Sequence, residues 1–306
     1  MGLFGVITRV TLRCDPRYFV AGTEINYEVK DSFLAKQANG HYVLEDALEE
    51  NDFMHLDWFP QKGVERVIQW VGAKVDEMEP FKPYNSELRS EWMDLLAAIV
   101  LRIANLLDHL DPNDELVALV IAELLKPFVP LDKPKTFHDF WYHALPSDDE
   151  VDVDNLITLQ FTEIWLPISQ LTSALDRLFA GIKENQRMAG NFAVELYGAK
   201  DSPFWLSPSN GRNVVRVDVF WWGHNFGDPR EFFTYYWNAL LELPGARLHW
   251  GKFLPTLGQK YGNVTFGPSF LGKAYTDHMN DWLALRQTFD PNRVFLTDYW
   301  RSVFAL

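Results

Sequence analysis

Two short stretches hold the residues best suited to chemistry. "RLHWGK", residues 247–252, sets Arg247, His249 and Lys252 around an indole, Trp250, and a glycine. "FAVELYG", residues 192–198, places a carboxylate, Glu195, inside an apolar strand pattern, and strand alternation gives Glu195 and Tyr197 a common face. A buried carboxylate without a partner is costly, so Glu195 needs a cation if that face is covered, and Lys252 is a candidate. The chemistry open to this set is charge pairing between a carboxylate and a lysine near an imidazole. A structural ion pair or a solvent-facing strand side explains the same pattern, and spacing alone does not separate them.

Other chemistries find weaker support. No glycine loop of the G-x-G-x-x-G or Walker type cradles a phosphate, and Ser207 in "LSPSNG" lacks the G-x-S-x-G elbow of a nucleophile. His138 and His143 are five apart, the wrong spacing for one helical face, and there is no H-E-x-x-H, so no metal site is expected. His55 beside Asp57 reads as a strand residue with a polar partner. A lone Cys14 excludes an intrachain disulfide and suits a reducing compartment, pointing to the cytoplasm. The sequon at Asn263 reads as a chance match.

The elements that must position these residues fall in three stretches of a 306-residue chain that is 47% hydrophobic and 15% aromatic, ample for a packed core. Residues 1 to about 75 look β-rich, with a strand running through Val6, Ile7, Val10 and Leu12, then "TEINYEV", "FMHLDWFP" and "VERVIQWVGAKV". Residues 84–146 look helical: apolar residues from Leu88 to Leu110 recur at spacings of three and four, and a second helix follows in "DELVALVIAELLKPFV". After an acidic loop, "PSDDEVDVDN", strands and helices alternate to the end. The fold class expected is α+β, an antiparallel sheet covered by helices. The net charge of −14 argues against nucleic acid. No stretch of 18 uncharged apolar residues is present, and the acidic flanks of the apolar helices disfavour a membrane surface.

Six segments in one order carry a resemblance: "GLFGVITRVTLRC", "LDWFPQKGVERVIQW", "FTEIWLPISQLTSAL", "VELYG" with "WLSPSNGR", "GARLHWGKF" and "DPNRVFLTDYW". Together they resemble the carboxy-terminal part of the sugar-1,4-lactone oxidases and alditol oxidases, flavoproteins of the vanillyl-alcohol-oxidase superfamily. More distantly they resemble the flavin-dependent cholesterol oxidases. The resemblance implies that residues 1–20 form the terminal strand of an FAD-binding domain otherwise missing here. Residues 21–306 then form the substrate (cap) domain, with a helical insertion at about 84–146. It implies a small-molecule alcohol or lactone substrate, FAD held mainly by the absent domain, and hydride transfer to flavin N5, with this chain alone inactive. Glu195, Lys252 and His249 take the catalytic positions, Tyr197 and Trp250 border the substrate, and Gly5, Val6, Ile7, Thr297 and Tyr299 lie toward the cofactor. The family's Glu-x-Arg strand reads Glu195-Leu196-Tyr197, so its arginine is absent, while His249-Trp250-x-Lys252 is intact. The alternatives are an oxidase of a bulkier alcohol such as a sterol, and a cap domain that is not catalytic.

Overall fold

The computed structural model describes residues 2–14, 16–77, 80–84, 99–100, 103, 110–146, 159–222 and 228–306. Alternating patterns produce an eight-stranded antiparallel sheet: β1 (Phe19–Glu28), β2 (Phe53–Phe59), β3 (Arg66–Val75), β4 (Lys135–Phe140), β5 (Leu159–Pro167), β6 (Val194–Ala199), β7 (Val214–Trp222) and the short β8 (Arg247–Leu248), in the order β4-β1-β3-β2-β6-β7-β5-β8. A separate two-stranded ribbon pairs β9 (Lys260–Tyr261) with β10 (Val264–Thr265). The turn between β2 and β3 places Gly63 at φ 85°, a conformation glycine adopts without a Cβ penalty.

Register decides what each face carries. Leu56, Val67, Val194, Leu196, Val215, Val217, Val219, Ile164 and Leu166 line the back of the sheet and are buried. Against them pack α1 (Val43–Glu50), α4 (Leu171–Glu184) and α5 (Pro229–Leu240), which contribute Leu44, Leu175, Leu178, Phe233, Tyr236, Trp237 and Leu240 to one core. Each such large side chain contributes roughly 1.5–3 kcal/mol on burial. On the front, α2 (Glu115–Leu125) covers Phe59 and Ile68, and α3 (Trp141–Ala144) lies by the cluster of Val20, Trp70 and Phe137. Charged residues of β2, β6, β7 and β5 share that front face. The chain ends in α6 (Pro268–Ala274), α7 (Met279–Phe289) and α8 (Asp298–Phe304). Among the described residues no helix is long and apolar enough to cross a membrane.

The α+β class and the antiparallel sheet are as expected; several local expectations are not. The strand expected through residues 6–12 is not formed: residues 5–14 have no ladder partner, and Val6, Ile7, Val10 and Leu12 are exposed. β-branched residues favour a pleated surface only where another strand supplies the hydrogen bonds. Helix α1 sits inside the stretch expected to be β-rich, and β4 inside the stretch expected to be helical, where it pairs with β1. Tyr275 ends α6 by leaving helical geometry (φ −128°, ψ 40°) and burying its ring, and α7 begins only at Met279. The helix expected over 86–110 and the acidic loop lie largely outside the described residues; positions 99–100 and 103 are helical.

Candidate active site on the front face of the sheet

Four neighbouring strands each send alternate side chains to one patch. Cross-strand pairing aligns His55 with Tyr197 and Asp57 with Glu195, then Glu195 with Asp218 and Tyr197 with Arg216, and finally Asp218 with Glu163 and Arg216 with Trp165. Antiparallel partners lie on the same face, so the sheet sets two rows of functional groups side by side.

At the centre, Arg216 Nη2 reaches Glu163 Oε2 and Asp218 Oδ2, both at 3.1 Å. Its guanidinium sits 4.0 Å from the Tyr197 ring centre and 4.6 Å from that of Trp165. Trp165 Nε1 donates to Glu163 Oε2 at 3.0 Å, and the Tyr197 hydroxyl donates to Asp218 Oδ2 at 2.8 Å. The two carboxylates are almost sealed from solvent, at 3% and 1% side-chain exposure. Burial raises Asp218 well above the usual carboxylate range, with Arg216 pulling the other way. Burial likewise raises Tyr197, so its hydroxyl stays protonated and donates.

Toward β2, His55 Nε2 lies 3.1 Å from Asp57 Oδ1 and 4.0 Å from Glu195 Oε2, and its ring stacks on Tyr197. Burial opposes charge on the imidazole, but Asp57, Glu195 and Asp218 outweigh it and raise its pKa to about 9. The donor atoms of His55, Asp57 and Glu195 all lie within 4.8 Å of one another, close enough to share a cation. The proton on His55 fills that role electrostatically.

Toward β8, Lys252 Nζ lies 3.9 Å from Glu163 Oε1 and 3.6 Å from the Phe161 ring centre. His249 stacks near Trp165 and accepts at Nδ1 from Gly251 N, so its neutral ring carries the proton on Nε2. Burial holds its pKa below the ordinary histidine value.

The structure therefore brings Glu195, Tyr197, His249 and Lys252 to one face. The acid that Lys252 meets is Glu163, correcting the expected Glu195 partnership; β7 and β5 separate β6 from Lys252. Trp250 turns away from the patch, donating to Leu206 O at 2.7 Å and packing on Tyr275, Trp300 and Phe304. Arg247 is buried among the carbonyls of Ala274, Pro208 and Asn210. Thr297 caps α8 and Tyr299 is half-exposed in its first turn; Gly5 lies near Phe295, with Val6 and Ile7 exposed beside it. Sequence reasoning passed over Glu163, Arg216 and Asp218. The signal was present in "FTEIW" and "VRVDV", where charged residues alternate with apolar ones inside strands.

The sheet with its helices has the fold of part of the cholesterol oxidases of known structure. Cholesterol oxidase from Brevibacterium sterolicum aligns with 94% of this chain at a TM-score of 0.56 and 14% identity, its His121Ala mutant at 0.57 and 12%, and a solvent-stable cholesterol oxidase with 92% at 0.54 and 13%. The chain spans about 60% of the length of these proteins. It belongs to the D-arabinono-1,4-lactone oxidase family, which it matches over residues 10–303. No curated protein matches it.

Proposed function

We propose that this chain is the substrate domain of an FAD-dependent oxidase that takes a hydride from a carbinol carbon of a sugar-1,4-lactone or related polyol. The observation that carries the reading is the charged front face, which Glu195, Tyr197, His249 and Lys252 share in a chain of this family, with Glu163, Arg216 and Asp218 between them. In this reading residues 21–306 form the substrate domain and residues 1–20 close onto a separate FAD-binding domain. The exposed Cys14 thiol suits a reducing, cytoplasmic setting.

The face fits the flavin in part. Lys252 Nζ and the outer edge of Arg216 offer cationic donors beside the flat rings of Phe161, Trp165 and Tyr197, a surface suited to a planar ring with an oxygen-rich edge. The sequence has no glycine loop for the pyrophosphate, so the dinucleotide end belongs to the other domain. When bound, FAD supplies the hydride acceptor. Lys252, 3.9 Å from Glu163 Oε1, donates to negative oxygen at the site. Glu195 accepts from the substrate hydroxyl, and His249 offers Nε2–H at the border. A bulky apolar alcohol fits poorly, because covering these charged groups with hydrocarbon removes solvation without giving partners.

The test is a visible spectrum of the purified chain with and without FAD, followed by anaerobic addition of a pentono-1,4-lactone. The chain alone is expected to bind little or no flavin, and lactone-dependent bleaching is expected once a flavin-binding domain of this family is supplied. Bound flavin that no alcohol or lactone reduces would overturn the oxidase reading, and failure of the combined domains to bleach would favour the non-catalytic alternative.

A further inference from the structure

Lys252 and His249 act in the proposed reaction, yet neither stands on a regular element. β8 ends at Leu248, and residues 249–253 run on as a turn beside β5. His249 N donates to Glu163 O at 3.3 Å, Lys252 N closes the turn on His249 O at 3.2 Å, and Phe253 N donates to Phe161 O at 3.0 Å. The first two bonds lie at the long end of the N–H···O range. A lysine carried on such a turn needs a further anchor if its head is to stay 3.9 Å from Glu163 Oε1 and 3.6 Å from the Phe161 ring centre.

The anchor comes from the back of the sheet. Thr162 lies between Phe161 and Glu163 in β5 and is fully buried, in one row with Ile164 and Leu166. A hydroxyl in that apolar row costs desolvation unless it is bonded, and packing alone would be served as well by valine. Its Oγ1 lies 3.1 Å from Trp237 Nε1 of α5 and 2.8 Å from Phe253 O. An indole N–H only donates and a carbonyl only accepts, so the direction of both bonds is set: Trp237 donates to Thr162, and Thr162 donates to Phe253. Trp237 is itself fully buried and packs on Phe233 and Tyr261, while Phe233 meets the Phe253 ring at 5.6 Å. We infer that Thr162 is a positioning residue, whose hydroxyl ties α5 on the back of the sheet to the turn that presents His249 and Lys252 on the front. The inference rests on the oxidase reading for what those two side chains do; the tie itself is a property of the chain.

The test uses the full chain and three variants. Thr162→Val keeps the branched shape and removes the hydroxyl, Thr162→Ser keeps the hydroxyl, and Leu178→Ala removes buried volume from α4 as a control for general destabilisation. Amide hydrogen exchange at Phe253 and the titration of the His249 imidazole are followed by NMR. In Thr162→Val, exchange at Phe253 should be about tenfold faster or more, since a buried indole N–H and a carbonyl lose their partner. His249, which burial holds below the ordinary histidine value, should titrate closer to that value. Thr162→Ser should restore both readouts, and Leu178→Ala should leave the His249 titration where it is. The inference is overturned if Thr162→Val folds and leaves Phe253 and His249 unchanged, or if Leu178→Ala moves both as far. The native chain gives a measurement that needs no variant: the Thr162 hydroxyl proton should exchange with water slowly enough to show a cross-peak to the Trp237 indole proton. A Thr162 hydroxyl that exchanges as fast as one on the surface would overturn the inference equally. None of these readouts uses flavin or substrate, so the inference and the oxidase reading fail separately.

Discussion

At the scale of single residues, His55 shows how the front face stores charge. Burial alone would strip its proton, yet Asp57, Glu195 and Asp218 keep the pKa at about 9, above the ordinary value of 6.5. A folded-state pKa raised in this way gives stability that is fully present below the unfolded value and is lost as pH rises through 9. Asp218 works with the same sign, because its raised pKa costs stability once pH climbs above the free carboxyl range. Stability should therefore fall from pH 6.5 to 10, by roughly 3 kcal/mol from His55, when measured by urea unfolding at a series of pH values. His55→Gln should flatten that slope, and Asp57→Asn should lower the imidazole titration seen by NMR; a native His55 that titrates near 6.5 would contradict the account. This scale was only half legible. His55 with Asp57 could be read as a strand histidine with a polar neighbour, which the 3.1 Å contact matches. Glu163, Arg216 and Asp218 could not be joined, because each looks unpaired in its own strand and the pairing of β5 with β7 and β6 is a long-range fact.

At the scale of elements, legibility followed local periodicity. β2, β3 and α2 have unbroken patterns and formed where expected. β4 was missed because "KTFHDF" is short and its strand character depends on β1 lying alongside. That junction is also tight. A Cβ on Gly22 would lie 2.1 Å from Val71 O and 2.5 Å from Phe137 Cζ, so alanine there must push strand backbone apart. Gly22→Ala should cost about 1–3 kcal/mol or more in denaturant unfolding, and a change within a few tenths would mean the β1–β3–β4 register differs. Helix α2 gives a milder test. Asp114 accepts from the amides of Leu116 and Val117 at its N-terminus, so Asp114→Ala should cost about 1 kcal/mol and Asp114→Asn much less.

At the scale of the whole molecule, the opening of the chain separates residues that hold the fold from residues that take no part in it. Leu3 is fully buried, and Phe4 packs edge-on against Trp282 and Phe289, which ties the first residues to α7. A few positions later, Val6 and Ile7 are 76% and 80% exposed and contribute nothing to either face of the sheet. Their β-branched character, which reads in sequence as a strand, has no partner strand here, and that is why the opening was the least legible part of the fold. If residues 1–20 close onto an FAD-binding domain, these side chains matter for that contact and not for the stability of the substrate domain. Leu3→Ala should accordingly destabilise the chain by about 2–5 kcal/mol. Val6→Ser and Ile7→Ser should each change it by less than about 0.5 kcal/mol, yet weaken association with a flavin-binding domain of this family, measured by calorimetry. Equal losses of stability from all three substitutions would place residues 6–7 in the core and remove the basis for the separate-domain assignment.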